Sequence, residues 1–446
     1  MIVDSVLINA KAYINGQIVD CSIAIEEGKI FKIGKNPQMP KADQKINAKN
    51  LLVLPGLIDE HVHLRDEGKA YKEDFQTGTA AAAAGGFATV LDMPNNEPVT
   101  MSAETLRNRM WIASRKILVN VGFYSEFPKK ISEVEEIVLQ GAIGFKLFMG
   151  CQIGGLNIDD DQALKEAFKK VAELNVPVAV HAEDKVLLTA NEERLKQAKK
   201  SGLSAFQMAH SETVETKAIQ RLTEICRKTS LNLHFCHIST EAGLSSIEEA
   251  KKSELKITCE VTPNHLFLSN VDLALYGPMV IMAPPLRNKS NVDALWRGLE
   301  NGSIDTIGSD HAPHALNEKS ADNVWDVKVG LPGLETTLPL ILTLVKKNQL
   351  SLVQAVRLLA EKPAEIYGLI DRGRLEEGKN ADLIIVDYNK RFKIDASKFK
   401  SKAKYSPYNG WEVVGQPVKT LVNGLVVFDE GEIVATPGSA SIIRRV

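Results

Sequence analysis

The feature that most constrains the fold is a recurrence of short apolar runs, each finishing in polar or reactive residues. They are Val53 to His63, Phe87 to Asp92, Ile117 to Tyr124, Ala142 to Phe148, Val176 to His181, Leu231 to His237, Ile257 to Thr262 and Thr306 to Asp310. Stretches of helical character separate many of them, at Asp161 to Leu174, Val214 to Lys228, Asn291 to Glu300 and Leu338 to Lys347. Eight buried strands alternating with helices predict an α/β chain folded as a (β/α)8 TIM-like barrel, whose chemistry gathers at the C-terminal strand ends. An open doubly wound sheet is the alternative, but no Gly-x-Gly-x-x-Gly follows the first run.

The two ends of the chain have another rhythm. Residues up to about 50 alternate apolar and polar around Asn15-Gly16 and Glu27-Gly28, and the C-terminal runs Ala381 to Val386, Lys419 to Phe428 and Glu430 to Val434 break at Asn-Gly and Glu-Gly. These are hairpin signals. They predict a small β-sandwich domain built from both termini, residues 1–52 and 371–446, around a catalytic barrel at 53–370. A chain of 446 residues that is 44% hydrophobic can bury cores for both.

A formal charge of −2 without a long basic run gives no footprint for nucleic acid or a membrane surface, so small molecules are the expected partners. Five cysteines (21, 151, 226, 236 and 259), odd in number and with no Cys-x-x-Cys pair, argue against a disulfide framework and suit a reducing cytoplasm. No signal peptide or bilayer-spanning run is expected.

Read together, the strand ends outline one site. In Pro-Gly-Leu-Ile-Asp-Glu-His-Val-His-Leu-Arg, His61 and His63 lie two apart and share a strand face, with Arg65 next along it. The fourth run supplies Lys146, the fifth His181, the sixth His237 and the eighth Asp310. Imidazole and carboxylate hold zinc or a similar divalent ion while leaving a position open for water. Singly, each has a plainer role as a satisfied core histidine or a helix cap. At four strand ends together, a metal site is the better account.

Lys146 differs, because an ammonium has no lone pair. Its apolar neighbours in Gly-Phe-Lys-Leu-Phe favour a neutral amine, which can add carbon dioxide to give a carbamate able to bridge two metals. A buried lysine paired with an acid is the equal alternative from chemistry alone.

Several motifs in order carry a family resemblance over nearly the whole chain. They are Pro55-Gly56-Leu57-Ile58-Asp59 leading to His61-Val62-His63-Leu64-Arg65, Met93-Pro94-Asn95, Thr258 to Pro263 with His265-Leu266, Ser309-Asp310-His311-Ala312-Pro313-His314, Gly333 to Thr336, and Gly378 with Ala381-Asp382-Leu383. The chain resembles the dihydroorotases, cyclic amidohydrolases of the amidohydrolase superfamily.

The resemblance implies two zinc ions. His61, His63 and Asp310 would hold one, His181 and His237 the other, with carboxylated Lys146 bridging. A branch of the family has aspartate at the bridging position, but the Phe-Lys-Leu-Phe context is similar to the carbamate-bearing hydantoinases and allantoinases. The implied reaction interconverts N-carbamoyl-L-aspartate and L-dihydroorotate in pyrimidine biosynthesis, with Asp310 moving the proton. Arg65, Asn95 and His314 match the contacts to the substrate carboxylate and favour dihydroorotase over dihydropyrimidinase, hydantoinase or allantoinase. Two departures stand out: Glu67 where proline is usual, whose charge must face away from that pocket, and Ala283 where many relatives have asparagine. The resemblance also admits a homodimer, association with aspartate transcarbamoylase, and a catalytically silent scaffold for that enzyme; the intact ligand set argues against silence. The polar stretch Ala315 to Val329 reads as a loop over the site.

Overall fold

A computed structural model describes residues 2–445. Eight parallel strands follow one another around a barrel: β1 Leu57–Val62, β2 Phe87–Asp92, β3 Asn120–Ser125, β4 Gly144–Phe148, β5 Val178–His181, β6 Leu233–Phe235, β7 Ile257–Val261 and β8 Thr306–Ile307. The seam between β1 and β8 is closed beyond the strand ends. There His63 N–H donates to the carbonyl of His311 at 2.8 Å and Ser309 N–H donates to Asp59 Oδ1 at 3.1 Å. Helices at Asp161–Glu173, Glu212–Cys226, Lys289–Glu300 and Leu334–Lys346 occupy the four stretches read as helical, each within a few residues.

Both termini build a single nine-stranded hydrogen-bonded sheet beside the barrel. Its hairpin turns at Asn15-Gly16, Glu27-Gly28, Asn423-Gly424 and Glu430-Gly431 all have positive φ at both residues, the backbone that a two-residue turn between twisted strands requires. Leu7, Ile23, Ile25, Ile30, Leu383, Ile385 and Leu421 pack into a core of their own.

The run read as one strand from Val53 to His63 is divided. Leu52–Pro55 pairs antiparallel with Leu383–Val386 in the terminal sheet, and β1 begins at Leu57. Gly56 makes the crossing possible: a Cβ there would lie 2.5 Å from Cβ of Ala88. A continuous apolar run conceals the change because both strands are buried.

The N-terminal mouth of the barrel is stopped by Tyr367 and Leu369 and by Ile443, which pack with Ile58, Leu91 and Tyr124. Ile442–Ile443 forms a short parallel pairing with Val121 and Gly122 of β3. The opposite mouth is left for the site.

Candidate metal centre and substrate cavity

The strand-end residues meet at the C-terminal mouth, in a cavity of about 450 Å³ lined by His61, His63, Arg65, Asn95, His181, His237, Asp310 and His314 among others. Lys146 lies buried behind this lining. Three of the lining residues hold left-handed backbone, Arg65 at φ +60°, His237 at +36° and Asp310 at +45°. For residues with a Cβ this costs about 1–2 kcal/mol each, and it persists only where the surroundings enforce it.

His61 and His63 present their Nε2 atoms to Asp310 Oδ1, at 3.4 and 3.2 Å. Their other nitrogens are occupied: His61 Nδ1 lies 2.9 Å from Glu260 Oε1, and His63 Nδ1 2.7 Å from Asn95 Oδ1. With Nδ1–H donated to those oxygens, each ring turns a lone pair toward a carboxylate oxygen. Burial pushes the His61 imidazole below its usual range and the His63 imidazole well below it, which favours the neutral ring in both. Three acceptors with no proton between them form a natural cation site. The donor set therefore fits the metal that the resemblance implies.

The second pair is arranged otherwise. His181 Nδ1 and His237 Nε2 face each other at 3.1 Å, and His237 Nδ1 is buried without a partner. Glu183 holds His181 Nε2 at 2.8 Å and His210 Nδ1 at 2.7 Å. Burial alone would push the Glu183 carboxyl up, but His210 and His181 hold it well below the usual range. A charged carboxylate thus fixes the His181 ring with Nδ1 toward its partner.

Lys146 is fully buried, its Nζ 3.1 Å from Cys236 Sγ and 5.1 Å from the Phe148 ring centre. Among the described residues no carboxylate lies within ion-pair distance of it. The alternative of a lysine paired with an acid therefore has no support in the geometry.

Of the residues matched to carboxylate binding, Arg65 is the most distinctive. It is buried, with Nε 3.4 Å from the Pro313 carbonyl and Nη2 3.3 Å from His314 Nε2, and it has no carboxylate partner among the described residues. His314 lies 2.9 Å from the Val329 carbonyl through Nε2 and 3.1 Å from Lys72 Nζ through Nδ1. Burial, with Arg65 beside it, lowers its imidazole to about 2. Asn95 spends its oxygen on His63, which leaves its amide N–H groups for a ligand.

The two departures are both accommodated. Glu67 turns to Asn96 Nδ2 at 3.0 Å and lies 3.8 Å from Arg109, outside the cavity lining. Ala283 lines the cavity and brings no side-chain donor.

Sequence reasoning left three contributors without these roles. They are Glu260, which holds His61, Glu183, which holds His181, and His210, which Glu183 holds on its other side. Glu183 was the most accessible to a finer reading, because in His181-Ala-Glu183 it stands two residues beyond a candidate ligand, just before the Asp184 cap of helix Lys185–Gln197. The loop Ala315 to Val329 carries its own anchor: buried Lys319 donates to the carbonyls of Ile281, Lys328 and Gly330 at 2.8–3.0 Å.

A barrel with metal-type ligands at the ends of strands β1, β5, β6 and β8 defines a class of hydrolase, and comparison with known proteins agrees. Residues 52–427 match the model of the amidohydrolase family, and the chain belongs to that family. It is 37% identical to a dihydroorotase of Methanothermobacter thermautotrophicus over 94% of this chain and 93% of that one. It is also 37% identical to a dihydroorotase of Bacillus cytotoxicus over 94% and 97% of the two chains. Among solved structures, an L-hydantoinase (dihydropyrimidinase) from Arthrobacter aurescens superposes with a TM-score of 0.95 at 32% identity, covering 99% of this chain and all of that one.

Proposed function

We propose that the protein is a dihydroorotase, interconverting N-carbamoyl-L-aspartate and L-dihydroorotate in pyrimidine biosynthesis. The observation that carries this reading is Arg65, a buried guanidinium beside the metal-type ligands with no anion of its own. A buried charge without a counter-charge is costly, and a substrate carboxylate supplies one in bidentate geometry. Neutral cyclic amides leave it unpaired. His314 and the Asn95 amide stand beside the same position.

His61, His63 and Asp310 would hold one zinc ion and His181 and His237 a second, with Lys146, as its carbamate, a ligand to both. A neutral Nζ adds to carbon dioxide and loses a proton, and the product offers two oxygens. The ions, when bound, supply a water acidic enough to attack at neutral pH and polarise the amide carbonyl. The chain supplies the rest. Asp310, whose carboxyl burial raises, accepts the proton of the attacking water and delivers it to the departing ring nitrogen; ring closure runs the same path backwards. Glu260, Asn95 and Glu183 keep the imidazoles turned to their task. Free cysteines at all five positions suit the reducing cytoplasm.

One feature favours a second reading. Phe148, Ile153, Leu188, Phe206, Trp325 and Val327 give the cavity an apolar wall, which a hydantoin with an apolar substituent would also fill, and the L-hydantoinase is similar over 99% of this chain. Turnover of dihydroorotate, hydantoin, dihydrouracil and allantoin by the zinc-loaded protein separates the two. Preference for dihydroorotate supports the first; preference for a neutral ring sinks it.

A further inference from the structure

Below the cavity floor, the barrel encloses a second set of polar side chains that the proposed reaction does not use as ligands or substrate contacts. Oxygens of Glu60 on β1 and Glu260 on β7 and a ring nitrogen of His234 on β6 lie within 4.8 Å of one another. In sheet order β1 and β6 are far apart, so these atoms meet across the barrel interior. All three side chains are buried, as is Thr306 on β8.

The hydrogen bonding of this chamber is incomplete. Both carboxylate oxygens of Glu60, His234 Nε2, Thr306 Oγ1 and the Tyr367 hydroxyl at the barrel base have no partner. Eleven buried side-chain atoms among the described residues are in that state, and five of them are here, so the deficit is local rather than scattered. His234 Nδ1 is engaged by Thr258 Oγ1 at 2.8 Å, which leaves Nε2 to face the interior, 3.8 Å from Glu260 Oε2. Glu260 Oε1 is committed to His61 Nδ1 and to His237 N–H. Among the described residues no lysine or arginine pairs with Glu60 or Glu260.

We propose that this chamber binds a third, structural divalent ion of the first transition row, held by Glu60, His234 and Glu260 with the Thr306 hydroxyl alongside. A mixed set of imidazole and carboxylate suits such an ion better than sodium, calcium or magnesium, which favour oxygen alone. A buried water can satisfy donors and acceptors, but it brings no positive charge to a chamber where two carboxyl groups and an imidazole lie within 4.8 Å of one another. Neither Glu60 nor His234 lines the substrate cavity. The ion therefore enters as the barrel closes and exchanges slowly, unlike ions held at the open mouth. The proposal does not depend on the reaction assigned above.

The test counts metals in the intact protein purified from zinc-supplemented cells, before and after exhaustive treatment with dipicolinate. The expected result is one equivalent per chain that resists the chelator and leaves only on unfolding in guanidinium. Zinc-edge anomalous diffraction should place it between Glu60 and His234. Glu60→Gln and His234→Gln should each lose the resistant equivalent while keeping chelator-labile metal at the mouth. Absence of both the resistant equivalent and the interior peak in the unmodified protein overturns the proposal, as does a resistant equivalent that survives in both variants. If the variants do not fold, the unmodified protein decides alone. Loss of labile metal with the inner ion retained counts against the two-ion reaction centre only.

Discussion

His61 and His63 come from one strand end and meet Asp310 across the barrel seam, while His181 and His237 come from neighbouring strands and face each other. Glu260 and Asn95 each hold one ring of the first pair from outside, so both free nitrogens converge on a carboxylate. In the second pair only His181 is so held, by Glu183, and His237 keeps a buried nitrogen without a partner. The first half is thus preorganised as a trio of acceptors, whereas in the second only one of the two rings is fixed by a carboxylate. On the proposed two-ion reading, the contrast predicts that the first half binds its ion more tightly and that the lysine matters most to the second.

The largest expected effect breaks the link between the halves. Lys146→Ala should lose metal from the second pair first and bring dihydroorotate turnover to background; undiminished metal content and activity would refute the bridge. Asp310→Asn should lower kcat by about 10²–10⁴-fold, the range for a positioned proton carrier, and should also weaken the first ion. Glu183→Gln should cost about 10–100-fold in affinity for the second ion alone, and Glu260→Gln a similar factor for the first, as read by competition with a chelating dye. Equal loss at both ions in either variant would dissolve the distinction. Arg65→Met should raise KM for dihydroorotate by about tenfold or more, in keeping with about 1.5–3 kcal/mol for a charge-assisted contact, with far less effect on hydantoin. The smallest effect concerns protons. Burial lowers His61 and puts His63 and His237 well below the usual range, so in the metal-free protein the latter two should stay neutral at pH 6, where an ordinary histidine is mostly protonated. Metal affinity should therefore fall less between pH 7 and 6 than at an exposed histidine site. Imidazole nitrogen shifts by NMR report this directly.

Much of the candidate site was legible because its proposed ligands stand at strand ends, and strand ends are visible as the last polar residue of an apolar run. His61, His63, Lys146, His181, His237 and Asp310 all meet at or behind one mouth for that reason. The supporting carboxylates were less legible. An acid after a strand is ordinary, and only the folded chain shows that Glu183 spans two imidazoles or that Glu260 reaches from β7 to β1. Hairpin turns were plain because Asn-Gly and Glu-Gly answer a local backbone demand. The division at Gly56 was hidden because it depends on Ala88, a residue distant in sequence. The loop after His314 looked uniformly polar, although Lys319 within it is buried among three carbonyls.

The strand Leu52–Pro55 has one further consequence, for the order in which the molecule is made. Its partner Leu383–Val386 is synthesised some 330 residues later. At ribosomal rates of about 5–20 residues per second, that edge waits tens of seconds with its hydrogen bonds unmet. The N-terminal half-sheet is therefore a nascent-chain hazard: it presents an adhesive edge throughout barrel synthesis, and chaperone demand should be set by this interval rather than by the barrel.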